Sequence, residues 1–205
     1  LNVAGNFSHT GGTITETNTG SGTINLNGPG GANIQTFTSG GTVSNTINWT
    51  IATNAFVQTA AASTVFGGTG TFTTNAGVTL GIRAADGIST VNTDNTGHVR
   101  STGTRTFNAA ANYIFNGAAN QNSNANFPAT ANTIRIENTG ASGSNTVTFQ
   151  RSVTLSGDLA VNQGNLNLST FTLNRGTAGG SFSLAANSTL LVGGGTNFPG
   201  IYTTY

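Results

Sequence analysis

The 205-residue chain has no cysteine, no methionine and no lysine, and its charged side chains are six arginines and five acids. Without cysteine there are no disulfides, no thiolate chemistry and no sulfur-ligated metal. Charged residues make up 5% of the chain, against about 25% in an ordinary soluble domain. A formal net charge of +1 neutralises few phosphates, so nucleic acid is not an expected partner. A charged disordered tail is excluded on the same ground. No run approaches the roughly 18 apolar residues of a membrane-spanning helix, and membrane insertion is not expected. Leu1 rather than Met stands first, as expected of a processed or excised piece of a longer protein.

What fills the chain instead is Thr, Asn, Ser, Gly and Ala, with 30 Gly, 12 Phe, three Tyr and one Trp. Period-two alternation runs from end to end, as in Thr13–Thr17, Thr23–Asn27, Ile34–Thr38, Ile47–Ile51, Val78–Leu80, Thr104–Phe107 and Thr133–Glu137. The later stretches are denser: Thr146–Phe149, Val153–Leu155, Leu159–Val161, Leu166–Leu168 and Phe171–Leu173. β-Branched and aromatic residues occupy the inward positions and Thr, Asn, Ser or Gln the outward ones. Clusters such as Gly20-Ser21-Gly22 and Gly193-Gly194-Gly195 punctuate the gaps.

Two all-β architectures compete, a β-sandwich and a parallel β-solenoid. From Val153 onward the inward starts fall at 153, 159, 166 and 171, which implies rungs of roughly 18–20 residues, near the short end of solenoid repeats. At that length the chain makes about ten rungs and roughly 50 Å of solenoid. Stacked rungs align like residues, which suits Asn and Thr ladders and disfavours stacked charge. The expected fold is one right-handed parallel β-helix over residues 1–205, with the β-sandwich as the alternative. Ala84–Arg100 and Gly117–Thr130 read as corner insertions or loops.

Several stretches carry a likeness: Leu1–Phe7 with Thr10–Ile14, Gly20–Gly28, Gly103–Phe107 running into Ala111–Gly117, Phe127–Ile134, Val153–Leu159 and Asn165–Leu173. Together they make the chain resemble the β-solenoid, adhesin-like repeat regions of very large secreted proteins of Bacteroidota-type bacteria. That resemblance implies an extended stalk or fibre at the cell surface, exported in many cases by the type IX route.

Little points to chemistry. Glycoside hydrolysis needs two carboxylates flanking the scissile bond; the acids here are Glu16, Asp86, Asp94, Glu137 and Asp158. Asp86 and Asp94 are close in sequence and are the candidates for calcium, with Asn92 and Asn95 beside them. Their Asp-Gly and Asp-Asn contexts equally describe turn-capping residues in a solvated loop. His9 and His98 are the only imidazoles, and no nucleophile elbow or phosphate loop accompanies them. No enzymatic activity, cofactor or resident metal is expected.

Exposed aromatics would mark a sugar platform, with Trp49, Tyr113, Tyr202 and Tyr205 as candidates. Trp49 shares a face with Ile47 and Ile51, which assigns it to the core. Thr-x-Thr pairs begin at 13, 36, 71, 104, 146 and 170, inviting a flat face that binds glycan or ice, yet their unequal spacing reads as ordinary outward β-formers. Both termini read as strand without a capping helix. Leu1, Val3, Phe7, Ile201, Tyr202 and Tyr205 are therefore the expected interface residues, facing adjoining rungs or another copy, with surface glycans as a further possible partner. A secreted or cell-surface location follows from the same reading.

Overall fold

Short alternating runs bounded by Gly and Asn form strands of two to six residues, and no helix forms among the described residues. The structure is a computed structural model that describes residues 1–17, 20–194 and 197–205; Gly195 lies outside them. Every ladder between strands is parallel. The chain is a β-solenoid and not a sandwich.

Each turn visits up to three walls. The long wall has nine strands: Phe7–His9, Gln35–Ser39, Phe56–Thr59, Thr79–Ile82, Asn112–Phe115, Ile134–Glu137, Leu159–Gln163, Gly179–Leu184 and Tyr202–Thr204. A leading wall precedes it in each turn and comes in two pieces. The first runs from Asn2–Val3 through Gly22–Leu26, Ile47–Ile51 and Phe72–Thr74 to Arg105–Phe107. The second stacks Thr130–Ala131, Val153–Leu155 and Leu173–Arg175. A trailing wall follows, built from Thr13–Ile14 and Thr42–Val43 and later from Gln121–Asn122, Thr146–Thr148, Asn165–Asn167 and Thr189–Leu191. Between those groups it thins to a single parallel bridge, Phe66 to Val99.

The turns are longer and fewer than the expected 18–20 residues and ten rungs. Nine strands in the long wall make eight steps, about 38 Å at ~4.8 Å each. Only the later walls approach the expected repeat: Val147 pairs with Leu166, 19 positions on, and Val153 with Leu173, 20 positions on. Elsewhere Phe7 pairs with Phe37, 30 positions on, and Thr79 with Asn112, 33 positions on. The excess is spent at corners, the largest being the strandless stretch from residue 83 to residue 104, which contains the expected insertion. Gly117–Thr130 is only partly a loop, because Gln121–Asn122 pairs with Val147 and Thr148.

Corners decide where Gly and Asn are needed. Gly164 alone separates Leu159–Gln163 from Asn165–Asn167, at φ +83°, a left-handed conformation that glycine adopts without steric cost. Asn45, Asn54, Asn124 and Asn187 also take positive φ, the region in which Asn is enriched. Gly103 stacks over Gly70, where an added Cβ would lie 2.5 Å from the Gly70 carbonyl oxygen.

Inside, the core changes character along the axis. In the first half Phe37, Trp49, Phe66 and Phe72 stack through successive turns, with ring centroids 4.5 Å apart for Phe37–Phe66 and 5.0 Å for Phe66–Phe72. Trp49 is buried as expected, its indole N–H donating to the Gly67 carbonyl at 2.8 Å. Tyr113, Phe115, Phe127 and Phe149 form a second aromatic group, and beyond it the core is mainly aliphatic, with Val153, Leu155, Leu159, Val161, Leu166, Leu168 and Leu173 followed by Phe182 and Tyr202 in the last turns. Phe66→Ala, which removes the ring shared by Phe37, Trp49 and Phe72, is expected to lower unfolding free energy by about 3–5 kcal/mol, measured by denaturant titration.

Candidate functional site

Amide side chains stitch the turns together on the outside. Asn25 donates to Asn2 Oδ1 at 3.0 Å, Asn132 to Asn112 Oδ1 at 2.9 Å and Asn165 to Asn145 Oδ1 at 3.0 Å. Other asparagines accept from a backbone N–H one turn away: Asn6 from Thr36, Asn48 from Thr71, Asn120 from Thr146 and Asn174 from Gly200, all at 2.8–2.9 Å. The three amide-to-amide pairs are the like-on-like contacts that stacking leads one to expect, whereas the other four asparagines reach the backbone of the next turn.

The interior holds polar residues that period-two reading did not single out. Gln121 is buried; its Oε1 accepts from the Gly117 N–H at 2.9 Å, and its Nε2 donates to the Ile82 and Ala84 carbonyls at 2.9 and 3.0 Å. Gln35 repeats the arrangement between Gly28 and the Val3 carbonyl. Arg105 faces inward, its guanidinium donating to the carbonyls of Ser101, Ser89 and Asp94 at 2.9, 3.2 and 2.8 Å. It thereby fixes the 83–104 excursion. Burial lowers its pKa from the ordinary value, and the nearby Asp94 charge opposes that.

His98 holds the other side of the same excursion and is fully buried. Its Nε2 accepts from the backbone N–H groups of Arg83 and Ala84, both at 2.8 Å, and lies 2.9 Å from Thr59 Oγ1. Two N–H donors on Nε2 place the ring proton on Nδ1, which donates to the Thr64 carbonyl at 2.5 Å. The imidazole is a neutral brace with both nitrogens occupied. Burial is the main cause of a pKa held down to about 4, and the Arg100 and Arg83 charges add to it against the Thr64 carbonyl. His9 is also buried, and neither of its ring nitrogens has a partner among the described residues.

The two calcium candidates are held by amides. Asp86 Oδ1 accepts from Asn122 at 3.0 Å. Asp94 Oδ1 accepts from the Thr96 N–H and hydroxyl at 2.9 and 2.7 Å, and its Oδ2 from Asn124 at 2.8 Å. Burial raises the Asp94 pKa, but these hydrogen bonds outweigh it and leave the carboxyl below its ordinary value. Among the described residues no three His, Cys, Asp or Glu side chains gather to hold a metal. Asp158 accepts from the Ser181 N–H at 2.7 Å, and Glu137 pairs with Arg135 at 3.2 Å.

The Thr-x-Thr pairs separate onto different walls, yet two of them stack. Thr71 and Thr73 lie one turn below Thr104 and Thr106, because Phe72 is in register with Arg105 and Thr73 with Thr106. Asn48 and Thr50 occupy the same places one turn earlier, and Thr23 and Asn25 one turn before that. Two neutral files thus cross four turns of the leading wall, and the 33-residue gap between the pairs at 71 and 104 comes from the excursion between them. Thr13 belongs to the trailing wall, Thr36 to the long wall and Thr146 to the trailing wall.

A groove of about 510 Å³ lies on the long wall, lined by Gln58, Arg83, Asn116, Glu137, Thr139 and Gln163 together with Ala60, Ala61, Ala62 and Ala118. Ile82 is in register with Phe115, Phe115 with Ile136, and Glu137 with Gln163, so Arg83, Asn116, Glu137 and Gln163 follow one another on successive turns.

At the two ends the expected interface residues divide. Leu1, Ile201 and Tyr205 are exposed at 74%, 51% and 66%. Val3 and Phe7 pack against the core, with Phe7 stacked 5.8 Å from Phe37. Tyr202 is turned inward, its hydroxyl donating to the Leu173 carbonyl at 3.1 Å. A hollow of about 330 Å³ opens at the first turns among Leu1, Phe7, Ile14, Ile24 and Ile47. At the other end Leu184, Leu191, Val192 and Phe198 join Ile201 and Tyr205 in exposing apolar surface. Of the sugar-platform candidates, Trp49, Tyr113 and Tyr202 are buried and Tyr205 is exposed.

No protein family model, no curated protein and no solved structure matches the chain significantly.

Because His98 titrates near 4 in the fold and near 6.5 when unfolded, the folded state favours the neutral ring. Its contribution is fully present above about pH 6.5 and declines as the pH falls toward 4, by about 3 kcal/mol in all. Stability measured from pH 7 to pH 4 is expected to fall more steeply for the parent chain than for His98→Gln, which lacks the titrating group.

Proposed function

We propose that this solenoid is a structural segment of an extracellular fibre or adhesin at the bacterial surface, extended end-on through its open β-edges and without catalysis of its own. The observation that carries the reading is the distribution of exposed large apolar side chains among the described residues. Leu1 stands at one end and Leu184, Leu191, Val192, Phe198, Ile201 and Tyr205 at the other, leaving only Ile34 and Val91 along the sides. The end strands Asn2–Val3, Phe7–His9 and Tyr202–Thr204 pair on one side only, so their outer N–H and C=O groups are open to another strand. Side walls that are neutral and polar between two apolar, unpaired ends favour growth along one axis. A heterologous contact of that kind does not close and builds filaments. The sequence resemblance to surface repeat regions supports the same role, with adjoining rungs or further copies as partners.

A second reading has its own observation, the two Thr and Asn files on the leading wall. Their side chains repeat about 4.8 Å along the axis and about 6.7 Å across each strand, a regular uncharged array of hydroxyls and amides. That face would bind ice or a flat glycan surface.

The 205-residue chain is expected to form particles that lengthen with concentration in sedimentation velocity and appear as filaments in negative stain. Leu191→Lys with Phe198→Asp should leave monomers; a parent chain that stays monodisperse at every concentration removes the fibre reading. For the second reading, the parent chain is expected to slow ice recrystallisation and Thr73→Tyr with Thr106→Tyr to abolish the effect. Equal behaviour of the two proteins removes it.

A further inference from the structure

We propose that the groove on the long wall binds a neutral oligosaccharide chain lying along the solenoid axis. This goes beyond the fibre reading and does not depend on it.

The lining defines the ligand's chemistry. Gln58, Asn116 and Gln163 each bring an amide donor and an acceptor, Thr139 a hydroxyl, Arg83 several donors and Glu137 a carboxylate. Alternating donors and acceptors match vicinal hydroxyls, each of which both gives and accepts a hydrogen bond. Arg83 and Glu137 are separated in the column by Asn116 and Glu137 is also paired with Arg135, so the groove carries no run of like charge to select a polyanion or a polycation. The apolar part of the lining is alanine throughout, which leaves room for a ligand but gives no branched or aromatic surface for an apolar one. An extended peptide adding as a strand is disfavoured as well, because the strands bordering the groove already pair on both sides.

Length and direction follow from the register. From Arg83 to Gln163 the column covers three steps of about 4.8 Å, so the site accommodates several sugar units in a row. Two buried polar atoms of residues lining the groove, Arg83 Nε and Asn116 Oδ1, lack a partner among the described residues. Buried polar groups are nearly always satisfied, so both are unspent hydrogen-bonding capacity beside the groove. Meanwhile the Arg83 Nη1 donates to the Ala60 carbonyl at 2.9 Å and Glu137 Oε1 accepts from Asn162 at 3.2 Å, which holds both charged ends in place before a ligand arrives.

The test is an NMR titration of the isotopically labelled 205-residue chain with cellohexaose, laminarihexaose, mannohexaose and xylohexaose. Saturable shifts confined to residues 58–62, 81–83, 114–118, 137–139 and 161–163 for at least one of the four are expected. Ala118→Trp and Ala61→Trp, at exposed positions, should each weaken that binding at least tenfold with unchanged thermal unfolding, while Thr106→Ala on the leading wall should leave it unaltered. The proposal is overturned if none of the four shifts these residues, if both Trp variants bind like the parent, or if trigalacturonate or an extended Ser/Thr peptide binds there more tightly. Sedimentation behaviour reads the fibre proposal separately.

Discussion

In-register parallel pairing is the constraint from which the rest of this molecule follows. Each strand lies about 4.8 Å from its counterparts in the turns above and below, so every strand residue sits directly over its registered partner in the next turn. Uncharged side chains that hydrogen-bond to their own kind tolerate that stacking, and Asn25 on Asn2 and Asn132 on Asn112 are examples. Like charges at that spacing would repel, which explains a chain of this size with so few of them. The asparagines that reach a backbone N–H in the next turn add a second bond between layers without lengthening the strand.

Where the chain leaves the walls, single buried polar side chains replace the ladder. His98 and Arg105 gather the carbonyls and N–H groups of the 83–104 excursion, while Gln121 and Gln35 bracket corners from within. An unpaired backbone group buried there would cost about 1–3 kcal/mol, so each side chain stabilises a corner that strand pairing cannot reach.

The walls were legible in the sequence because alternation of β-branched and aromatic residues with Thr and Asn is what a half-buried strand requires. Trp49 between Ile47 and Ile51 is a clear example, and it is buried. The turn length was not legible, since a corner of any size leaves the alternation on either side intact; the 33-residue step from Thr79 to Asn112 looks locally like the 21-residue step from Tyr113 to Ile134. In Ile34–Thr38 the alternation itself conflicts, because Ile34 and Phe37 fall on opposite faces; the ring is buried, Gln35 joins it and Ile34 is left 47% exposed. The braces Gln121 and His98 look like loop residues among Asn, Gly and Ser, and only the fold reveals their inward direction. The two Thr files were hidden for the same reason as the turn length. The groove joins residues from Gln58 to Gln163, a span over which no local pattern operates.

The leading wall is interrupted once, between Arg105–Phe107 and Thr130–Ala131, where a bond from the Asn132 N–H to the Ala111 carbonyl at 2.8 Å crosses the junction. The long and trailing walls carry that junction instead, through the pairing of Tyr113 with Ile134 and Gln121 with Val147, and the Phe115 and Phe149 rings meet across it. In a linear stack whose cohesion is a sum over neighbouring layers, the weakest strand pairing among the described turns is at the last one, which pairs with its neighbour only through Tyr202–Thr204 on the long wall. A molecule pulled along its length would fray from that tip before the interrupted wall gave way.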